Sequence, residues 1–204
     1  MAVSALIAQA LGVAYAAGIS PYATVALLGL VRRLGWVGPL PGGLEIVANP
    51  WVMGVAGLLF AVEFTATLLP WVASAWETVH SLIRPPAAAL LAVLTAWNGD
   101  PSVAVLAGVL GGGLGLATHT TKLGLRYAID TSPEPVSNGA ANLGELGVIG
   151  AMMLLVWQHP WISLSLALLL LATLMVLVVL IWRTFRRALG LMRRPGDRPA
   201  AERG

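Results

Sequence analysis

The sequence contains no cysteine among its 204 residues, and this absence removes several chemistries at once. Disulfides, thiolate nucleophiles and cysteine-ligated metals are all excluded. The three histidines, His80, His119 and His159, lack the i, i+4 spacing of a helical metal site. The sequence also lacks a nucleophile elbow, a His-Glu-x-x-His helix and a phosphate-binding loop. We therefore expect no metal, no cofactor and no enzymatic activity.

Charged residues are also scarce in this sequence. Only 10% of the residues are charged, whereas 58% are hydrophobic and the mean hydropathy is +0.84. Soluble domains average about 25% charged residues, and a chain of this length cannot hide so much apolar surface in one core. Lipid is the expected solvent, and the long apolar runs without alternation favour helices over a closed barrel. The predicted fold class is all-α, a polytopic transmembrane helical bundle.

Proline marks the predicted helix starts. A polar cap followed by proline is a strong start signal, and it occurs at Ser20-Pro21, Asn49-Pro50, Asp100-Pro101 and Ser132-Pro133. Arg84-Pro85 and His159-Pro160 have the proline without a good cap. The stretch from Ser74 to Glu77 fits a capping box, in which Glu77 would reach back to the cap amide.

These marks predict about six spans, some of them broken or short: a broken first span over 2–34, then 50–70, 74–97, 101–128, 133–158 and 160–182. Six spans put both termini in the cytoplasm. The alternative makes 2–34 a re-entrant hairpin, which moves Arg32 and Arg33 to the inner side. We expect one transmembrane domain over 1–182, with halves 1–98 and 99–182 that could form a three-plus-three inverted repeat.

The remaining residues, 183–204, form a basic tail. Seven arginines there outnumber Asp197 and Glu202, so the tail has a net charge of +5. The whole chain has a net charge of +3, so residues 1–182 carry −2. The positive-inside rule predicts a cytoplasmic C-terminus, in the inner membrane of a bacterium. Anionic lipid head groups are the expected partners of the tail. No nucleic-acid motif accompanies the arginines, so we expect no nucleic-acid binding.

Two glutamates interrupt apolar spans. Glu63 follows Pro50 by 13 residues and Glu145 follows Pro133 by 12, as equivalent positions of an inverted repeat would. A charge near the centre of a membrane helix costs roughly 2.5–3.5 kcal/mol on insertion scales, so something must offset it. One interpretation is a pair of proton- or cation-binding carboxylates that face the bundle interior. The other is a carboxyl group hydrogen-bonded to a neighbouring polar side chain.

Two polar stripes lie on helix faces. Glu77, His80, Ser81 and Arg84 form one, and His119, Lys122, Arg126 and Asp130 form the other. Facing each other on the cytoplasmic side, they would form a cationic cleft that suits a phosphate or a lipid head group. The competing interpretation is ion pairing, of Arg126 with Asp130 and of Arg84 with Glu77 or Glu134.

The segment Ser132-Pro133-Glu134-Pro135 is first of all a helix cap. Ser137 and Asn138 follow one turn later and either face the same cleft or satisfy backbone groups. Together with the glutamates and both stripes, Glu134, Ser137 and Asn138 complete the candidate ligand-binding set.

Glycines are concentrated in the fourth predicted span. Gly108, Gly111, Gly112, Gly113 and Gly115 make a smooth helix face. Such a face permits close helix approach. Packing within the chain is the preferred interpretation, and a homo-oligomer seam is the alternative.

Two motifs indicate a family. The first runs from Glu63-Phe64 through Ser74-Ala75-Trp76-Glu77-Thr78-Val79-His80-Ser81 to Arg84-Pro85, and the second from Thr131 to Asn138. With the break between Gly18 and Tyr22, they resemble a family of bacterial multi-pass membrane proteins catalogued as domain of unknown function 4126. The resemblance covers roughly residues 10–160. Members tend to carry an Asp-Lys pair and a further Asp where this chain has Thr67, Leu68 and Ala73.

Three hypotheses for function follow. A small secondary transporter or channel for an anion or a lipid-like solute, coupled through Glu63 or Glu145, explains the broken helices and the buried charges. A membrane scaffold or accessory subunit of a larger membrane complex explains the small size and the glycine face. A lipid-handling enzyme with His80 or His119 as base has the least support.

Overall fold

The computed structural model describes residues 3–97, 100–130 and 135–192; of residues 70–71, 128–130, 135–136 and 188–192 it describes the backbone only. The chain forms eight α-helices over the described residues, with one 3₁₀ helix between the second and third. They are α1 (Val3–Ile19), α2 (Pro21–Arg33), the 3₁₀ helix (Gly42–Ala48), α3 (Pro50–Ala66), α4 (Pro70–His80), α5 (Arg84–Ala96), α6 (Pro101–Asp130), α7 (Pro135–Gln158) and α8 (Pro160–Met192). The predicted all-α bundle is confirmed.

Most of the predicted proline starts are confirmed. Ser20 Oγ accepts from the Ala23 amide at 3.2 Å ahead of α2, and Asn49 Oδ1 accepts from the Trp51 amide at 2.9 Å ahead of α3. Asp100 caps α6 in the same way, accepting from the Ser102 amide at 2.9 Å. Each side-chain oxygen satisfies an amide that the first helical turn leaves without a partner.

Two predicted starts need correction or fall outside the description. The capping box at Ser74 is wrong, because α4 begins four residues earlier at Pro70 and Ser74 lies inside it. Proline at the first turn sets the helix start there, and the Glu77 side chain pairs with Arg84 instead of a cap amide. Ser132-Pro133 lies outside the described residues, and the described part of α7 begins at Pro135.

Helix α1 occupies the centre of the bundle. From Leu6 to Ile19 nearly every residue is buried, and most are alanine or glycine. A Cβ atom at Gly12 would lie 2.6 Å from Val156 Cγ2, and one at Gly18 would lie 2.7 Å from the Gly115 carbonyl oxygen. Small residues therefore let α6 and α7 approach α1 closely. The predicted break at Ser20 is present. The 17 residues of α1 extend roughly 25 Å.

The glycine face of α6 packs inside the chain. A Cβ atom at Gly111 would lie 2.5 Å from Ala92 Cβ and 3.2 Å from Ala14 Cβ, and one at Gly115 would lie 2.3 Å from Ala88 Cβ. Helices α5 and α1 thus occupy this face, so the seam suggested for a homo-oligomer is already filled within one chain. Gly113, which points away from it, has open space around the same position.

The outside of the bundle is apolar. Leu58, Leu82, Val109 and Leu169 each expose more than 60% of their surface, whereas five charged residues are buried inside: Glu63, Glu77, Arg84, Lys122 and Arg126. This inverted distribution is typical of a helix bundle in lipid. Helix α8 continues ten residues past the predicted span end at 182, since neither proline nor glycine interrupts it before Gly190.

Three helical segments among the described residues are long and apolar enough to cross a membrane: Pro101–Tyr127, Ser137–Gln158 and Pro160–Arg187. Two bent helix pairs raise the number to as many as five. The 3₁₀ helix and α3 meet at 71°, and Val72–His80 and Arg84–Ala96 meet at 48°. The predicted number of about six spans therefore exceeds the number that helix length and composition support. The difference is the span predicted over 2–34, because α1 and α2 are each shorter than a membrane-crossing helix.

Candidate functional site

Seven ionisable side chains that lie far apart in the sequence meet inside the bundle. Five helices supply them: α3, α4, α5, α6 and α7. We call this group the ion-pair cluster; it consists of Glu63, Glu77, Arg84, His119, Lys122, Arg126 and Glu145. Members of both predicted stripes and both predicted mid-span glutamates therefore converge on one place.

Arg84 is fully buried and joins two carboxylates. Its Nη2 donates to Glu63 Oε1 at 2.5 Å and to Glu77 Oε1 at 3.1 Å, and its Nη1 donates to Glu77 Oε2. Arg84 is the first residue of α5, whereas Glu77 lies in α4 and Glu63 near the end of α3. The planar guanidinium thus ties three helix ends together, as its fixed fork of donors allows.

The surroundings of His119 identify it as a neutral imidazole. Arg84 Nη1 lies 2.9 Å from His119 Nδ1, and since the guanidinium can only donate, Nδ1 must accept. The proton is then on Nε2, which donates to Ser81 Oγ at 2.8 Å. The 3.9 Å separation of His119 Nδ1 and Glu77 Oε2 is accordingly not an ion pair.

Lys122 is the second centre of the cluster. Its Nζ atom lies 2.9 Å from Glu145 Oε2, 3.3 Å from Glu77 Oε1 and 3.9 Å from Glu63 Oε1. It also donates to the carbonyl oxygen of Ile19 at 3.0 Å. That carbonyl is the last of α1 and has no helical partner, so Lys122 links the carboxylates to the break between α1 and α2.

Arg126 is buried but incompletely bonded. Its Nη2 donates to Glu145 Oε1 at 3.0 Å and to Asn142 Oδ1. Its Nε and Nη1 find no hydrogen-bond partner within the described part of the chain. Buried donors without acceptors are unfavourable by about 1–3 kcal/mol, more when charged. Arg126 therefore retains donors that an additional acceptor would satisfy.

The charges of the cluster balance. Three cations, Arg84, Lys122 and Arg126, face three carboxylates, Glu63, Glu77 and Glu145, and His119 is neutral. The structure therefore corrects the predicted cationic cleft, because every cation already has a carboxylate partner. Burial explains the difference, since an unpaired buried charge is strongly unfavourable. The alternative pairing of Arg84 with Glu77 is present.

The carboxylates differ in exposure. Glu77 and Glu63 expose 1% and 5% of their side chains, whereas Glu145 exposes 24%. Glu145 is therefore the carboxylate that solvent or a solute reaches first.

The remaining predicted residues are distributed around the cluster. His80 stacks on Trp76 with ring centroids 4.3 Å apart, and its Nε2 lies 3.2 Å from the Tyr22 hydroxyl. Asn138 is buried, and its Oδ1 has no partner among the described residues. Ser137 is half-buried. The Asp130 side chain and Glu134 lie outside the description, and with them the alternative pairings of Arg126 with Asp130 and of Arg84 with Glu134.

Sequence reasoning missed three polar members of the site. Ser20 Oγ donates to Glu63 Oε2 at 2.5 Å, and Asn142 Nδ2 donates to Thr67 Oγ1 at 2.9 Å and to the Phe64 carbonyl oxygen at 3.3 Å. Ser20 was assigned only a capping role. Asn142 stands three residues before Glu145, and that spacing on one helix face is the signal that could have identified it.

Two helix breaks meet at the cluster. Ser20, between α1 and α2, bonds to Glu63, and the Ile19 carbonyl before it bonds to Lys122. The break between α4 and α5 lies between Glu77 and Arg84, which pair across it. Discontinuous helices whose ends surround buried charges are typical of membrane transporters.

Two cavities adjoin the cluster. A cavity of about 10 Å³ is lined by Ser20, Glu63, Lys122, Asn142 and Glu145 together with apolar residues of α3 and α7. A larger cavity of about 290 Å³ lies between α1, α6, α7 and α8. Lys122 and Glu145 line both. Their ion pair therefore belongs to the walls of both cavities.

The fold and the site define an all-α membrane protein with a buried ion-pair cluster at two helix breaks. A family model matches residues 7–180, and the chain belongs to that family, which is described as Domain of unknown function (DUF4126). The resemblance seen in the sequence motifs is thereby confirmed. No curated protein and no solved structure matched the chain. Over the described residues, no group of three or more His, Asp or Glu side chains is placed to hold a metal ion.

Proposed function

We propose that the protein is a secondary transporter that moves an anionic or lipid-like solute together with a proton. The observation that carries this proposal is the meeting of two helix breaks at one buried ion-pair cluster. Broken helices free backbone groups and allow segments to move, and buried ionisable groups bind protons or charged solutes. A bundle that only filled the membrane would need neither.

The balance of charge suggests the coupling step. With Glu145 ionised the cluster is neutral, and Lys122 and Arg126 are occupied by its carboxylate. A proton on Glu145 leaves a net charge of +1 and weakens its hold on both cations. An anion then takes the place of the carboxylate, and release of the proton expels the anion. Carboxylate and anion compete for the same donors, so one proton accompanies each negative charge.

The small cavity offers a route for that proton. Its volume of about 10 Å³ approaches the 10–15 Å³ that one water molecule requires, and its lining is polar enough to bind one. A water molecule there would lie among Glu63, Glu145 and Lys122. We infer that it passes the proton between Glu145 and the buried Glu63.

Alternating access fits this arrangement better than an open channel. Lys122 and Glu145 line both cavities, and in the proposed mechanism a solute moves from one cavity to the other only when this pair separates. We further propose that the protein resides in a bacterial inner membrane with its basic C-terminal tail in the cytoplasm, because of the positive-inside rule. The three-plus-three inverted repeat stays a prediction.

The proposal is tested by proton flux in liposomes. Purified protein is reconstituted with an internal pH indicator, and an inward proton gradient is applied with chloride, inorganic phosphate, methanesulfonate or decanesulfonate outside. The wild-type protein should accelerate internal acidification with at least one of these anions. Glu145→Gln should lose that anion-dependent rate, since glutamine cannot exchange a proton. Glu63→Gln should reduce it.

The matched control is Glu45→Gln. Glu45 pairs with Arg32 at 2.9 Å on the protein surface, with 47% of its side chain exposed, so this variant should transport as the wild type does. Acidification that no anion accelerates, or that both cluster variants leave unchanged, would contradict the transporter proposal. Those results would favour the scaffold or accessory-subunit hypothesis.

A further inference from the structure

The larger cavity combines two kinds of wall. Its outer wall is apolar and includes Leu170, Leu171 and Leu174 of α8. Its inner wall holds Lys122 of α6 and Glu145 of α7, the only charged residues among the described ones that line it. The volume of about 290 Å³ lies at the lower end of the range of small-molecule sites, which runs from about 300 to 1,000 Å³. Such a cavity is suited to a molecule with an apolar chain and one charged end.

We propose that this cavity binds a single-chain amphiphile with an anionic head group, and that binding places one proton on Glu145. The chain lies against the leucines of α8, and the head group takes the place of the Glu145 carboxylate beside Lys122. This inference rests on the transporter proposal, to which it adds the class of solute. The anionic head can be a carboxylate, a sulfonate or a phosphate monoester, since all three present acceptor oxygens to Lys122.

Charge conservation sets the stoichiometry. Empty, the cluster has three positive and three negative groups. Protonation of Glu145 gives +1, and a monovalent head group returns the sum to zero. An anion that entered without a proton would leave a buried charge of −1. An uncharged amphiphile would form no ion pair with Lys122. Anionic amphiphiles should therefore bind in preference to neutral ones, and more tightly as the pH falls.

The groups that face Glu145 support this assignment. From α6, Lys122 and Arg126 pair with it, and Arg126 has two further donors without a partner among the described residues. From α3, Glu63 shares Lys122 with it. From α1, Tyr15 contributes a phenol to the cavity, and from α8 Thr173 contributes a hydroxyl. Among the described lining residues, Glu145 is thus the one carboxylate.

A glycine on α7 permits a selective test. Gly144 lines the cavity, and a Cβ atom there would have nothing within 4 Å, so the leucine side chain of Gly144→Leu begins in open space beside the cavity. Gly147 lies nearly one turn later on the same helix, also has open space around it, and lines neither cavity at the cluster. Gly147→Leu is therefore the matched control, and neither change weakens helix propensity.

The probe is decanesulfonate, whose charge does not change with pH. Binding to the full-length protein in phosphatidylcholine nanodiscs is measured by native mass spectrometry, with decanol and methanesulfonate as the uncharged and tailless comparisons. Wild-type affinity for decanesulfonate should rise by up to about tenfold for each unit of falling pH, because one proton binds with each anion. Decanol and methanesulfonate should each bind at least about tenfold more weakly, an energy of about 1.4 kcal/mol.

Two variants define the outcome. Gly144→Leu should weaken decanesulfonate binding at least about tenfold, Gly147→Leu should change it less than about twofold, and Glu145→Gln should bind tightly without dependence on pH. The inference is overturned if Gly144→Leu binds like the wild type, if decanol binds as well as decanesulfonate, or if Glu145→Gln keeps the pH dependence. If any of these results is obtained and small anions still drive proton flux, the amphiphile proposal is refuted and the transporter proposal is retained. Binding as expected without any flux refutes transport alone.

Discussion

The two halves of the ion-pair cluster are built from the same residue types but differ in completeness. In the inner half, Arg84 joins Glu63 and Glu77, and each of these side chains is at most 5% exposed. In the outer half, Lys122 and Arg126 share Glu145, which is 24% exposed and lines two cavities. In the inner half Arg84 lacks a partner at Nε, whereas in the outer half Glu145 is more accessible and Arg126 lacks partners at both Nε and Nη1 among the described residues. We therefore propose that the inner half mainly supports the fold and that the outer half exchanges its carboxylate for an anion.

The largest expected effect comes from breaking the inner half. Arg84→Met should lower the free energy of unfolding by about 3–5 kcal/mol, because the buried Glu63 and Glu77 would lose the guanidinium that joins them and keep only Lys122 in common. Denaturation in mixed micelles measures this change. Arg32→Met, which removes a surface partner of Glu45, serves as control and should cost less than about 1 kcal/mol. Equal effects of the two substitutions would remove the distinction between a supporting half and an ordinary surface pair.

An intermediate effect is expected at the residue that connects α7 to α3. Asn142→Leu removes an acceptor from Arg126 and two bonds to the end of α3, at the Phe64 carbonyl and Thr67. The unfolding free energy should fall by about 1–3 kcal/mol, since three buried hydrogen bonds are lost, although Arg126 keeps Glu145 and Thr67 keeps the Glu63 carbonyl oxygen as partners. Asn142→Asp keeps the acceptor and tests whether Arg126 needs it. Stability above the wild type in Asn142→Leu would count against this connection.

The smallest effect on stability is expected in the outer half. Glu145→Gln should lower the unfolding free energy by about 1 kcal/mol, because Arg126 loses its carboxylate partner, but the side chain at 145 is partly exposed and its amide oxygen still accepts from Lys122 or Arg126. The same variant should abolish proton-coupled flux. A loss of stability as large as that of Arg84→Met would show that Glu145 supports the fold as Arg84 does. That result would contradict the distinction between the two halves.

Much of the fold could be predicted from local signals. The starts of α2, α3 and α6 follow from proline and its preceding cap, the start of α8 follows from proline alone, and the hydrophobic runs predict helices in lipid. The central position of α1 could not be predicted, because an apolar helix between helices and one facing lipid have the same composition. The capping box at Ser74 failed because a glutamate two turns into a helix has a stronger partner in Arg84 than in a backbone amide.

Only part of the site could be predicted from the sequence. Helical spacing placed Glu77 with Arg84, and Lys122 with Arg126, on common faces. Their pairing with Glu63 and Glu145 depends on how five helices pack, which spacing within one helix does not encode. The predicted cleft was therefore cationic, whereas the structure supplies a carboxylate for each cation. Asn142 was missed because a lone amide in an apolar span also fits simple hydrogen bonding.

Exchange of the Glu145 carboxylate for an anion is the central claim, and infrared difference spectroscopy tests it most directly. Decanesulfonate is added at constant pH to the reconstituted protein, and the carbonyl stretch of a protonated carboxyl group is followed. We predict that this band appears in the wild type and in Glu45→Gln, and that it is absent from Glu145→Gln. A wild-type spectrum without the band, or a band that persists in Glu145→Gln, would contradict the account.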